Sequence, residues 1–196
     1  SSHLRRLDLS FDNCESLTKE AFSQLTTSLP SSLEVLALDF SGCAPLCNAS
    51  LLKLGKRLPS DLTSLHMALN GTVVDDKGLT KFVSCIMRMS ALRSLELDLS
   101  STQVGDDGFV SLSEKLPGTL THLGLDLRYT QVSNLGLESL AKHLPAELAS
   151  LELDCSNTEV GDDGAIALVE SLPCKLFSLI LEFMHTTVSD DMASSL

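Results

Sequence analysis

Tryptophan is absent from this sequence, tyrosine occurs once, and aromatic residues make up 4% of the chain. No apolar run approaches the ~20 residues that a membrane-spanning helix needs, so direct membrane insertion is not expected. Basic residues are also scarce: 14 Lys and Arg stand against 26 Asp and Glu, for a net charge of -12. Nucleic acid is therefore an unexpected partner, because binding phosphate requires a basic stripe. A basic protein or basic segment is the complementary partner.

The six cysteines form no CxxC pair and no disulfide-like rhythm. We interpret most of them as small buried hydrophobes, which favours a reduced compartment, cytoplasm or organelle, over secretion. No signal peptide, transit peptide or lipidation motif is visible, although the chain begins without methionine.

The chain is rich in leucine, and the leucines repeat. Residues 92–119, 120–147 and 148–175 are three copies of one 28-residue unit. Such a fixed period indicates a repeat architecture. Seven openings align at spacings of 28–30 residues, and they are Leu4, Leu33, Leu62, Leu92, Leu120, Leu148 and Leu176.

Each unit reads as a strand followed by a helix. Leu95, Leu97 and Leu99 alternate with polar residues, which is typical of a half-buried strand. Leu112 and Leu116 recur at the spacing of one helical face, and the following proline ends the helix. In the third copy a longer helix is predicted to end near Met89. Since neither element can bury its apolar face alone, we expect the copies to stack into one domain over residues 1–196. We also expect this chain to be a fragment of a longer protein or to have its ends covered by partners, because solenoid ends need polar caps.

The L-x-x-L-x-L pattern, followed by a polar residue, an aliphatic residue and G-x-x-x-L-x-x-x-L, resembles the leucine-rich repeat of the long, ribonuclease-inhibitor-like type. The resemblance implies an α/β solenoid (horseshoe) with a concave parallel sheet and convex helices. It also implies protein binding as the default function. The sequence departs from the family pattern at one point. Leu99 and its equivalents add one more pair of outward-facing and inward-facing residues, which predicts a longer strand. Threonine at Thr102 and its equivalents then takes the polar slot, so a threonine ladder is expected in place of an asparagine ladder.

Residues between the inward leucines point onto the concave face, because the pleat alternates side chains. Five copies have a carboxylate at the outward position immediately before the last core residue. They are Asp39, Asp98, Asp126, Asp154 and Glu182. Glu96 and Glu152 lie two positions earlier in their strands, and His66, His122 and Arg128 are neighbours. These ten residues are the predicted partner-binding site.

Four of the carboxylates would form a continuous column, with adjacent charges ~5 Å apart and repelling by about 0.8 kcal/mol even in water. In the functional interpretation, the column is a binding surface that attracts a basic partner electrostatically. The alternative is a polar face that keeps an open sheet soluble. A cation site has suitable oxygen ligands but no enclosing loop, so no metal or other cofactor is expected.

The acidic pairs Asp75-Asp76, Asp106-Asp107, Asp162-Asp163 and Asp190-Asp191 resemble metal ligands, but they fall where helices begin and carboxylates favour the helix dipole. Ser133 and Ser189 stand at N-cap positions. Gly108, Gly136 and Gly164 are expected to allow close packing of the helix against the turn, and no Lys-Ser or Lys-Thr follows to make a phosphate loop.

No nucleophile–base pair is apparent, and His66 and His122 are predicted to lie two strands apart, roughly 10 Å. We therefore expect no enzyme. The leading prediction is a non-catalytic interaction scaffold or accessory subunit of a larger assembly. The alternatives are an inhibitor or regulator of a basic enzyme, and an architectural subunit that packs through its ends and convex helices.

Overall fold

A computed structural model describes residues 3–14, 16–43 and 46–189. Within these ranges, seven strands alternate with six helices. They are β1 (Arg6–Ser10), α1 (Lys19–Ser28), β2 (Val35–Asp39), α2 (Asn48–Gly55), β3 (Ser64–Ala68), α3 (Asp76–Ile86), β4 (Ser94–Asp98), α4 (Asp106–Ser113), β5 (His122–Asp126), α5 (Asn134–His143), β6 (Ser150–Asp154), α6 (Asp162–Glu170) and β7 (Ser178–Glu182). Among the described residues, no helix has the length and apolar character needed to cross a membrane.

The strands form one parallel sheet in chain order, β1 to β7. The register advances by one repeat at each step, so equivalent residues of successive copies lie side by side, as Leu95 does beside Leu123. This confirms the predicted α/β solenoid with a parallel sheet. The helix predicted for the seventh copy lies outside the described residues.

The core lies between the sheet and the helices. Two rows of inward side chains, headed by Leu36 and Leu38, are almost fully buried from β2 to β6. Phe40 stacks on Phe11 at 5.4 Å between ring centroids and packs against Phe22 at 5.3 Å. Burial of apolar side chains from neighbouring copies is the main stabilising contribution, as expected for a solenoid.

The cysteines only partly match the prediction. Cys43, Cys85 and Cys155 are buried, and burial raises the pKa of the Cys155 thiol. Cys14 and Cys47 are half-buried, whereas Cys174 is exposed.

The predicted longer strand is wrong, because each strand has five residues and β4 ends at Asp98. The Asp98 carboxylate accepts the N–H of Ser100 at 2.9 Å, and Ser101 has a left-handed φ of 55°. This turn redirects the chain, so Leu99 is buried just beyond the strand.

The predicted threonine ladder is also wrong. Each threonine hydroxyl donates to the carbonyl three residues earlier in its own copy, at 2.5–2.7 Å, rather than to a neighbouring copy. The residues concerned are Thr72, Thr102, Thr130, Thr158 and Thr186.

A ladder between copies exists instead at the helix starts. In α2 to α5, the first residue of the helix accepts the backbone N–H of the residue that caps the next helix. Asp76 accepts the N–H of Gly105 at 2.7 Å, and Asp106 accepts the N–H of Ser133 at 2.9 Å. Asn134 does the same for Gly161 at 2.7 Å. The longest helix, α3, ends at Ile86 rather than near Met89, because the N–H of Met89 bonds to the carbonyl three residues back.

Candidate partner-binding face

Three rows of side chains cover the concave face, which we define as the sheet face opposite the helices. The middle row runs Asp8, Ala37, His66, Glu96, Gly124, Glu152 and Ile180. The row at the carboxyl ends of the strands runs Ser10, Asp39, Ala68, Asp98, Asp126, Asp154 and Glu182. The remaining row contains His122, between Ser94 and Ser150.

Four carboxylates are in direct register at the carboxyl ends of four adjacent strands. We call this set the acidic column, and it consists of Asp98, Asp126, Asp154 and Glu182. The three aspartates are half-buried and Glu182 is exposed. Asp39 lies in the same row but is separated from Asp98 by Ala68. The pleat therefore brings together most of the predicted carboxylates and leaves Asp39 apart.

The aspartates of this row also have a local structural role that sequence reasoning missed. Each accepts the backbone N–H of the residue two positions later: Asp126 accepts Arg128 at 3.1 Å and Asp154 accepts Ser156 at 2.8 Å. The signal in the sequence is an aspartate two residues before a turn, since aspartate readily forms such Asx turns.

Asp39 shows the same arrangement, and its hydrogen bonds favour the ionised carboxylate. Burial acts to raise its pKa, but the N–H and hydroxyl of Ser41 and the hydroxyl of Ser10 outweigh burial and hold the pKa of Asp39 below its usual value. The Ser41 N–H lies 2.9 Å from Asp39 Oδ1.

Arg128 places its guanidinium on the acidic column. Its Nη2 lies 2.5 Å from Asp126 Oδ2, and its Nε lies 3.3 Å from Asp154 Oδ2. Hydrogen bonding to Asp126 raises the pKa of Arg128, with burial opposing the change. The column therefore already holds one cation between two of its carboxylates.

Glu96 lies between the two histidines of the face. Its Oε2 is 2.8 Å from His66 Nδ1 and its Oε1 is 3.4 Å from His122 Nε2. The histidines come from strands two apart, as predicted, but no pattern in the sequence indicated that one glutamate would contact both. All three side chains are between 27% and 44% exposed, so the cluster is open to solvent.

One exposed apolar side chain on this face, and two in the turns that follow strands, were not included in the sequence prediction. Ile180 follows Glu152 in the middle row and is 47% exposed. Tyr129 and Met184, in the turns after β5 and β7, are each 63% exposed. Tyr129 is the single tyrosine of the chain, which is a signal that could have drawn attention to it.

The paired aspartates that the structure describes, and Ser133, lie at the starts of helices. Asp76, Asp106-Asp107 and Asp162-Asp163 lie in first turns of helices and Asp75 is an N-cap, which confirms the helix-start interpretation. Ser133 is confirmed as an N-cap, whereas Asp190-Asp191 fall outside the described residues. In the part of the chain that the structure describes, no group of three or more His, Cys, Asp or Glu residues is arranged to hold a metal ion.

Comparison with known proteins agrees with this architecture. A family model described as "Leucine Rich repeat" matches residues 92–113. No curated protein sequence matches the chain significantly. A chain from the crystal structure of the Rad7 and Elc1 complex in yeast is similar over 97% of this chain, with 22% identity and a TM-score of 0.65. An internalin from Listeria monocytogenes is similar over 100% of this chain, with 19% identity and a TM-score of 0.54.

This chain spans less than half the length of those two neighbours, covering 44% of the first and 46% of the second. At these identities the likeness concerns the fold. The fold is a leucine-rich-repeat solenoid, as the sequence predicted.

Proposed function

We propose that this chain is a non-catalytic protein-binding scaffold that holds a basic segment of a partner on its concave face. The observation that carries the proposal is the acidic column, in which carboxylates of four adjacent strands stand in direct register on an open sheet.

The turns do not require this charge. Asparagine would accept the same N–H, and in the first copy the Ser10 hydroxyl accepts the N–H of Asp12 at 3.3 Å. Ala68 stands at the same position of the third copy without any acceptor side chain. Since the turn forms with each of these residues, four neighbouring negative charges are a cost to the sheet that a bound cation would offset.

The position of Arg128 supports a guanidinium as that cation. A guanidinium matches carboxylate geometry because it donates several N–H bonds in one plane. Arg128 spans Asp126 and Asp154, which leaves Asp98 and Glu182 at the two ends of the column for groups from a partner.

An exposed apolar side chain on the same face fits a protein ligand. Interfaces combine aromatic or aliphatic anchors with charged groups, and Ile180 offers such an anchor beside Glu152. The similar chain from the Rad7 and Elc1 complex was crystallised in an assembly with another protein, and this also favours protein binding.

Affinity capture from native extract tests the proposal, with the variant Asp98→Asn/Asp126→Asn/Asp154→Asn compared with wild type. Asparagine keeps the turn acceptors and removes three charges. The matched control is Asp107→Asn/Glu114→Gln/Asp163→Asn, which removes three exposed carboxylates on or next to helices α4 and α6. We expect a salt-sensitive partner that the column variant loses and the control retains. If the column variant keeps its circular dichroism spectrum and all its partners, the column does not bind them.

A further inference from the structure

Basic residues are concentrated on the opposite face of this acidic protein. Six of its 14 Lys and Arg residues lie on α2, on α3 or in the two residues that follow each helix. All six side chains belong to exposed residues. We call this set the convex basic patch, and it consists of Lys53, Lys56, Arg57, Lys77, Lys81 and Arg88.

The packing of α2 on α3 makes the patch continuous. The helices approach so closely at Gly55 that an added Cβ would lie 3.0 Å from the side chains of both Phe82 and Cys85. Arg88 reaches from the end of α3 to the carbonyl of Gly55, with Nη2 3.5 Å from the oxygen. The cations that end α2 and those of α3 therefore face solvent on one surface.

These cations form no close ion pairs with carboxylates in the described part of the chain, although Lys77 interacts electrostatically with Asp75. Among the described residues, none of the six lies within 4 Å of an acidic oxygen, whereas Lys142 pairs with Glu138 and Lys175 with Glu147. Between residues 46 and 93 the acidic residues are Asp61, Asp75 and Asp76. The last two already accept hydrogen bonds at helix starts. Asp75 accepts the N–H of Gly78, and Asp76 accepts the N–H of Gly105.

The helix dipole explains only part of the patch. Lys53 and Lys56 lie at the carboxyl end of α2, where a cation is favourable. Lys77 is the second residue of α3, at the end where a cation is unfavourable. A local structural reason therefore accounts for some of these residues and not for the whole surface.

The neighbouring helices limit the size of an anionic ligand. Glu20 is exposed on α1, and Asp107 and Glu114 are exposed on or next to α4. Fixed charges act over about 8–10 Å at physiological salt. A long or planar polyanion, such as duplex nucleic acid or a membrane, would extend from the patch onto these carboxylates. A short acidic segment would not.

We infer that the convex basic patch is a second protein-binding surface, which takes a short acidic peptide segment of a partner. It is separate from the concave face, so one chain can hold a basic segment on its sheet and an acidic segment on its helices. This would let the scaffold bridge two partners of opposite charge.

Fluorescence anisotropy with a labelled octa-glutamate peptide tests this inference. The variant Lys56→Glu/Arg57→Glu/Lys81→Glu reverses three charges and leaves the hydrogen-bonded Arg88 in place. The matched control, Lys115→Glu/Lys142→Glu/Lys175→Glu, makes the same net change elsewhere. We expect the patch variant to lose at least about tenfold in affinity and the control less than about threefold, with wild-type binding weakening as salt increases.

Equal losses in the two variants, or no binding of the peptide by the wild type at low salt, would overturn the inference. So would tighter binding of duplex DNA or of phosphatidylserine vesicles than of the peptide, since either would assign the patch to another class of ligand. The variant Asp98→Asn/Asp126→Asn/Asp154→Asn should bind the peptide at least as tightly as wild type. This last measurement separates the patch from the proposed function of the concave face.

Discussion

Arg128 and Asp126 are joined by both their backbone and their side chains. The Arg128 N–H donates to Asp126 Oδ1 at 3.1 Å, and its guanidinium donates to the same carboxylate through Nε at 2.9 Å and Nη2 at 2.5 Å. The turn after β5 thus fixes the start of the arginine side chain, and the carboxylate fixes its end. The guanidinium is held over the acidic column, where it would compete with an incoming cation.

Replacing this arginine should therefore favour a basic ligand. We expect Arg128→Gln to raise the affinity for an oligo-arginine peptide by up to about fivefold, because an exposed ion pair is worth at most about 1 kcal/mol. Titration by anisotropy at two salt concentrations measures the change. Lys142→Gln, which removes a positive charge paired with Glu138 on α5, is the control. Weaker binding by Arg128→Gln would mean that the arginine contacts the ligand and does not compete with it.

The ladder at the helix starts should depend on Asp106. This carboxylate accepts the N–H of Ser133 at 2.9 Å, the N–H of Gly136 at 3.0 Å and the Ser133 hydroxyl at 2.6 Å. We expect Asp106→Ala to lower the free energy of unfolding by about 1–3 kcal/mol, because two backbone donors lose their acceptor. Asp106→Asn should cost less, since Asn134 has this role in the next copy.

Urea unfolding followed by circular dichroism measures both variants. The exposed neighbour Asp107 is the control, and Asp107→Ala should cost less than about 1 kcal/mol through the helix dipole alone. A similar cost for Asp106→Ala and Asp107→Ala would show that the ladder does not stabilise the fold.

The glycine at the start of α4 should tolerate no side chain. A Cβ on Gly108 would lie 2.6 Å from Asp76 Oδ1 and 2.8 Å from Asp76 Cα, so the backbone of the preceding helix would have to move. We expect Gly108→Ala to destabilise the protein by about 1–3 kcal/mol, the usual cost of overpacking.

Gly118 is the matched control for this substitution. It lies in the loop after α4, and a Cβ there would meet nothing within 4 Å. Gly118→Ala should be neutral or stabilise by up to about 1 kcal/mol, because alanine restricts the unfolded chain. Equal urea midpoints for the two variants would contradict the close approach at Gly108.

Acid should weaken the cap of α3. The N–H of Gly78 donates to Asp75 at 3.0 Å and, against an opposing effect of burial, holds the pKa of Asp75 below its ordinary value of 3.8. A carboxylate with a lowered folded pKa stabilises the fold fully above its unfolded pKa, and this contribution is lost as the pH falls through the folded pKa.

The difference in unfolding free energy between wild type and Asp75→Asn should therefore be largest near neutral pH and shrink below about pH 4. Urea unfolding of both proteins at about pH 7 and about pH 2.5 measures it. Asparagine is a suitable replacement because it remains a good N-cap. A difference that does not change with pH would show that the charge of Asp75 does not contribute to the cap.

The sequence by itself determined the repeat, the order of strands and helices, and the face on which each strand residue lies. This followed from local patterns, because alternation and four-residue spacing depend only on backbone geometry. It predicted that Asp98, Asp126 and Asp154 would share a row, since equal repeat lengths fix the register. It did not predict that the same aspartates would end the strands, because the pattern of leucines continues past Asp98 to Leu99.

Contacts between copies were decided by the tertiary structure. Glu96 meets His66 and His122, Asp106 accepts the cap of the next helix, and the cations of α2 and α3 merge into one surface. The residues in these contacts are roughly one repeat apart in the chain, and no local pattern encodes which atoms face each other. Only the stacking of successive copies at about 5 Å in the sheet brings them together.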